Sequence, residues 1–263
     1  MKHTWKAALA VVTVAMIGTA GAARADLNIS GETGLILNPT AEIVQKGHPQ
    51  IQANYYDFDG GDKDKVYGIY GAIQAADKLE VSAGIDKFSS DYKPWDRSGF
   101  ALGAKYQLLN HIDKGFDLAV GAGFDSGFQR NTHVYVAATK AFHSGADRAS
   151  VMGTLGVRWD HFNDGDDSKS SQASVYAGVQ VPITRTGELS VIGEIQSKNI
   201  SSSYVSYEWG KGSSAKFPYA LGLRYHPRDQ AFSVTAGVQR QGFDTPGSTS
   251  PKLFVQAGYT FGK

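Results

Sequence analysis

The chain has no cysteine among its 263 residues, which excludes a disulfide framework, a thiolate metal site and thiol redox chemistry. No charge of one sign dominates, since 26 basic side chains face 25 acidic ones. Nothing in that balance suggests nucleic acid as a partner. Beyond residue 25 no stretch approaches the roughly 18 uninterrupted apolar residues that a spanning helix needs, so a membrane role has to use strands. No linker or low-complexity segment divides the chain. What remains is one large β domain, either a membrane barrel or a soluble β protein.

The one apolar run stands at the start, where Lys2 and Lys6 precede residues 7 to 20 and the segment ends Ala23-Arg24-Ala25. This is the pattern of a secretory signal with an A-x-A cleavage site. Its removal takes away three basic residues and no acidic one, leaving 23 basic against 25 acidic side chains. The expected organisation is a signal peptide over 1–25, a periplasmic or plug segment over 26–48, and an outer-membrane β-barrel over 49–263.

From Gln50 to Phe261 the chain repeats one unit, nine or ten alternating residues and then a turn rich in Gly, Asp, Asn, Ser or Pro. Twelve such units predict strands over 50–58, 65–74, 79–88, 98–108, 116–125, 132–142, 149–160, 172–182, 189–197, 217–226, 231–240 and 252–261. Leu79, Val81, Ala83 and Ile85 share one face of the third strand and Glu80, Ser82, Gly84 and Asp86 the other; the fifth and eighth strands repeat the pattern.

Alternation alone also fits a soluble sandwich, but three further features point to a transmembrane antiparallel up-and-down barrel. Ten residues at about 3.3 Å each, tilted by about 40°, rise close to about 25 Å, the height of an outer-membrane barrel's apolar band. Aromatic residues bracket the strands: Phe100, Tyr106, Phe116, Phe124, Trp159, Tyr219, Tyr225, Phe232, Tyr259 and Phe261 fall near strand ends, as two interfacial girdles require. Connections after even strands are brief and those after odd strands mostly long, the known asymmetry of periplasmic turns and extracellular loops.

The last strand, Leu253 to Phe261, resembles the aromatic C-terminal strand by which outer-membrane proteins are recognised for assembly, which implies the barrel-assembly machinery as a partner beside lipid and lipopolysaccharide. Gly31-Glu32-Thr33-Gly34-Leu35-Ile36-Leu37-Asn38-Pro39-Thr40-Ala41-Glu42, followed by Gly47, resembles the G-x-x-GL-x-x-x-PTA opening of YjbH-type outer-membrane lipoproteins and barrels. That resemblance implies an association with exopolysaccharide production.

With the apolar face toward lipid, the lumen receives Glu80, Asp86, Lys105, Asp117, Asp125, Arg158, Asp160, Glu194, Arg224 and His226. Such mixed charges either set a transverse field that sorts solutes or pair across the lumen and close it. Inward glycines at 84, 103, 121, 123, 156, 178, 222, 237 and 258 either leave open space or let inward tyrosine rings lie flat. The loop from Lys198 to Lys216, with Tyr204, Tyr207 and Trp209, either constricts the pore or meets a surface partner, or simply extends two strands. Acidic stretches at 57–62 and 163–167 read as solvated turns more readily than as cation sites. His143-Ser144 lacks a catalytic frame. The expectation is therefore a non-enzymatic barrel in the outer membrane of a Gram-negative bacterium, without cofactor or metal. Porin-like passage of small hydrophilic solutes leads; a non-conducting envelope barrel and a soluble secreted β protein are the alternatives.

Overall fold

A computed structural model describes residues 27–57, 65–89, 96–110, 115–127, 130–142, 149–163, 169–198, 217–227, 230–240 and 251–262. The expected signal peptide, the acidic stretches at 58–62 and 164–167, His143-Ser144 and the loop from residue 199 to 216 lie outside them. Twelve strands appear: β1 (Gln50–Asp57), β2 (Lys65–Ala76), β3 (Leu79–Ser89), β4 (Arg97–Leu109), β5 (Asp117–Asp125), β6 (Asn131–Phe142), β7 (Val151–Asn163), β8 (Lys169–Pro182), β9 (Leu189–Gln196), β10 (Tyr219–Tyr225), β11 (Phe232–Arg240) and β12 (Lys252–Thr260). Each pairs antiparallel with its sequence neighbours, and β1 closes on β12 through Gln50↔Thr260 to Tyr56↔Phe254. The expected up-and-down barrel is what forms.

Strand ends depart from the alternation where the backbone forbids a ladder. β10 starts at Tyr219 instead of 217 because Phe217 adopts a φ of 62° and Pro218 has no N–H to donate. β5 starts at Asp117, one residue after Phe116, because Gly115 turns the chain with a φ of 76°. β7 and β8 run on to Asn163↔Lys169 because that hairpin continues pairing past its apolar band.

The two faces are the reverse of a water-soluble protein. Ile85 and Leu155 each expose 64% of their surface on the outside, while Arg158 and Asp160 are fully buried inside. A continuous apolar exterior of this kind is unstable against water and suits lipid, which removes the soluble secreted reading.

The chain before β1 turns into the barrel, and every residue from 27 to 41 is buried. It folds on itself through the bridges Leu27↔Thr33 and Gly34↔Pro39 instead of joining the wall. Asn28 organises the first turn, its Oδ1 accepting from the backbone N–H of Ser30 (2.8 Å) and Glu32 (3.1 Å). Gly31 closes that turn at φ 85° while lying against Tyr70, where a Cβ would come within 2.8 Å of the ring. A side chain at residue 31 is thus excluded twice. Ile29, Leu35, Ile36 and Leu37 pack among Tyr56, Val66, Phe88, Ile192 and Phe254, each such burial stabilising by about 1.5–3 kcal/mol.

Candidate functional site in the lumen

The inward parity of each strand turns every second side chain toward the axis, many of them polar, and the N-terminal segment offers backbone groups to these. Two carboxylates hold it. Glu80 on β3 accepts from Thr33 N (2.9 Å), Thr33 Oγ1 (2.6 Å) and Val44 N (2.8 Å). Glu194 on β9 accepts from Ile36 N (3.0 Å), Leu37 N (2.5 Å), Asn38 N (3.2 Å) and Asn38 Nδ2 (3.1 Å). Cations hold its carbonyls: Lys105 Nζ donates to Thr33 O (2.7 Å) and Glu42 O (2.8 Å), and Arg224 Nη2 to Leu35 O (3.2 Å). Tyr176 OH donates to Pro39 O (2.9 Å), and Thr139 Oγ1 accepts from Ala41 N (2.9 Å). The segment is pinned from strands on all sides of the barrel.

Of the ten expected lumen residues, Glu80, Asp86, Lys105, Asp117, Asp125, Arg158, Asp160, Glu194 and Arg224 lie buried inside. His226 stands just past β10, half-buried at the rim where β1 begins and β12 ends, with its backbone N–H donating to Glu188 O (2.7 Å). Two pairs of opposite charge are wall neighbours: Glu80 with Lys105 at 3.4 Å across the β3–β4 ladder, and Arg158 with Asp160 at 2.7 Å along β7. Neither of these two pairs crosses the barrel; what fills the middle is the N-terminal segment.

The space left by inward glycines is taken. Gly84 lies under Tyr70, Gly156 under Tyr176, and Gly178 against Leu35 of the segment. Beside the segment, toward the rim where β1 begins, a cavity of about 250 Å³ remains, lined among others by Thr33, Thr40, Glu42, His48, Gln180 and Arg224.

Alternation had not singled out Glu32 and His133, yet they meet inside at 3.5 Å, each about 1% exposed. Burial pushes the Glu32 carboxyl up, but His133, Lys105 and Arg158 outweigh it and hold the group below its ordinary value of 4.5. His133 was legible from parity, sharing its face with Tyr135 and Ala137. Glu32 was not, because the segment has no period.

Of the aromatic set, Phe100, Tyr106, Phe124, Trp159, Tyr225 and Phe261 are exposed on or beside the outer face, and Phe116, Tyr219, Phe232 and Tyr259 are half-buried. Phe100 meets Phe124 (centroids 5.6 Å apart) at one end, and Tyr225 meets Phe232 (6.4 Å) and Tyr259 meets Phe261 (4.9 Å) at the other.

A closed twelve-stranded antiparallel barrel with an apolar exterior and a polar, segment-filled interior has the architecture of the outer-membrane class of β-barrels. Solved structures with this fold include the KdgM porin (TM-score 0.54, 14% identity, 81% of this chain and 99% of that one). The NanC porin is comparable (TM-score 0.53, 13% identity, 82% and 99%). A KdgM porin in complex with disordered oligogalacturonate also matches (TM-score 0.51, 12% identity, 81% and 99%). No protein-family model matches the chain, and no curated protein matches it in sequence. At these identities the likeness is one of fold.

Proposed function

We propose that this chain is a porin-like passive channel of the Gram-negative outer membrane for small hydrophilic solutes, with residues 27–44 as an internal closure that opens by leaving the lumen. The observation that carries this reading is the way the segment is held. Among the described residues it is continuous with the wall where the chain enters β1, it pairs with no strand, and its backbone polar groups are held by side chains, Glu80, Glu194, Lys105 and Arg224, beside the apolar contacts of Ile29, Leu35, Ile36 and Leu37. Water or a solute can replace such bonds one by one, unlike a strand built into the ladder. The lumen charges Asp86, Asp117, Asp125, Arg158 and Asp160 would then set selectivity, with the girdle aromatics seating the barrel in lipid and the assembly machinery inserting it.

Passive passage is carried over from the porins of like fold, but the polyanionic cargo in one KdgM structure is not. Six buried wall carboxylates here face three buried wall cations. The filled lumen also favours a second reading, a non-conducting envelope barrel, to which the YjbH-like opening would add a link with exopolysaccharide.

Planar-bilayer recording of the refolded chain separates the two. The channel reading expects discrete currents that become more frequent when the pins are cut, and a changed ion preference when Arg158 and Arg224 are neutralised. A barrel that stays silent with the pins cut is non-conducting.

A further inference from the structure

We infer that the open lumen takes solutes rich in cationic N–H donors, amines and guanidinium compounds, and that the N-terminal segment stands in for them at Glu194 and Glu80 while the lumen is shut. This rests on the channel reading. Among the described residues the hydrogen bonds that Glu194 accepts come from the segment, three backbone N–H groups and one amide, at 2.5 to 3.2 Å. Several N–H donors converging on one buried carboxylate is the arrangement an ammonium or guanidinium group presents. At Glu80 the segment supplies two N–H donors and a hydroxyl beside the Lys105 ammonium, so an amine there would meet a site already half filled by a cation. Glu194 is the stronger position.

Once the segment departs, both carboxylates must find new donors or be left desolvated. The surrounding wall favours positive charge. Glu80, Asp86, Asp117, Asp125, Asp160 and Glu194 are buried on it against Lys105, Arg158 and Arg224. Two further cations, Arg97 and Lys252, share the inward face only at the loop end, where they are half-exposed and screened. His133, facing Glu32, adds charge only when protonated. A cation entering therefore gains at each carboxylate what the segment gives up, and closure and passage compete for the same oxygens.

The probe is spermidine, applied to the full-length refolded chain, with citrate as the anionic control. Hydrogen exchange reads the amides of Ile36, Leu37 and Asn38, and planar bilayers under a KCl gradient read ion preference. Spermidine should accelerate exchange of those amides by about tenfold, the change for one such bond lost, and citrate should not. Currents should prefer cations. Glu194→Gln should raise exchange without spermidine, abolish the response to it and reduce the cation preference. Glu80→Gln, which should weaken the response less, carries the test if Glu194→Gln does not show the heat-modifiable migration of a folded barrel. Exchange unmoved by spermidine, or an anion-preferring current, overturns the inference while leaving the channel intact. Accelerated exchange with no current from the chain or either variant overturns the channel reading instead.

Discussion

Replacing Glu80 by alanine tests the closure at its most connected point. The carboxylate accepts from Thr33 N, Thr33 Oγ1 and Val44 N and lies 3.4 Å from Lys105 Nζ, in a place where neither side chain is more than 1% exposed. Removing one partner of a buried ion pair costs about 3–5 kcal/mol, because the other charge is stranded, and two backbone N–H groups lose their acceptor as well. Lys105 keeps its bonds to Thr33 O and Glu42 O, so a value near about 4 kcal/mol is reasonable for the docked segment, a shift of about a thousandfold in its equilibrium. The assay is proteolysis within residues 27 to 44 in detergent, with barrel folding followed by gel migration before and after heating. Cleavage under fast opening reports the undocked population. Glu80→Ala should be cut about a thousandfold faster than the parent. The double variant Glu80→Ala/Lys105→Met removes the stranded charge but also the bonds from Lys105 to Thr33 O and Glu42 O, so it too should be cut far faster than the parent. A folded Glu80→Ala barrel, or a folded double variant, as resistant as the parent refutes this account of how the segment is held.

Acid should loosen the same closure through Glu32. Its carboxyl is held below 4.5 in the folded protein, so its contribution is fully present above pH 4.5 and is lost as pH falls through the lowered value; proteolysis or conductance scanned downward should show a release at the acid end that Glu32→Gln removes. Gly156→Val places carbon where the Tyr176 ring lies and should break the 2.9 Å bond from Tyr176 to Pro39 O, at about 1–3 kcal/mol for overpacking; denaturant unfolding in lipid measures it, and an unchanged midpoint contradicts the packing described. Ile85→Arg, on the outer face at a site 64% exposed, should cost about 2–4 kcal/mol if that face meets the middle of the bilayer; the same titration with no loss would place it in water.

Alternation, turn residues and loop lengths made the wall legible before any coordinates. Side-chain parity is a property of a few adjacent residues, so each strand's existence, its inward face and the grouping of nine expected lumen residues could be read from the chain. Where ends were misjudged, as at Phe217 and at the β7–β8 hairpin, single dihedrals or pairing beyond the apolar band decided.

The fate of residues 27 to 41 was not legible. Those residues carry no period, and a periplasmic position and a plug were equally open. The choice depends on a closed wall that brings Glu80, Thr139, Tyr176, Glu194 and Arg224 around one axis, with Glu194 lying 158 positions from Ile36 in the chain. Local pattern determines strands because neighbours impose it. Only closure of the barrel decides what its interior holds, because donors and acceptors so far apart in sequence meet only once the last strand has paired with the first.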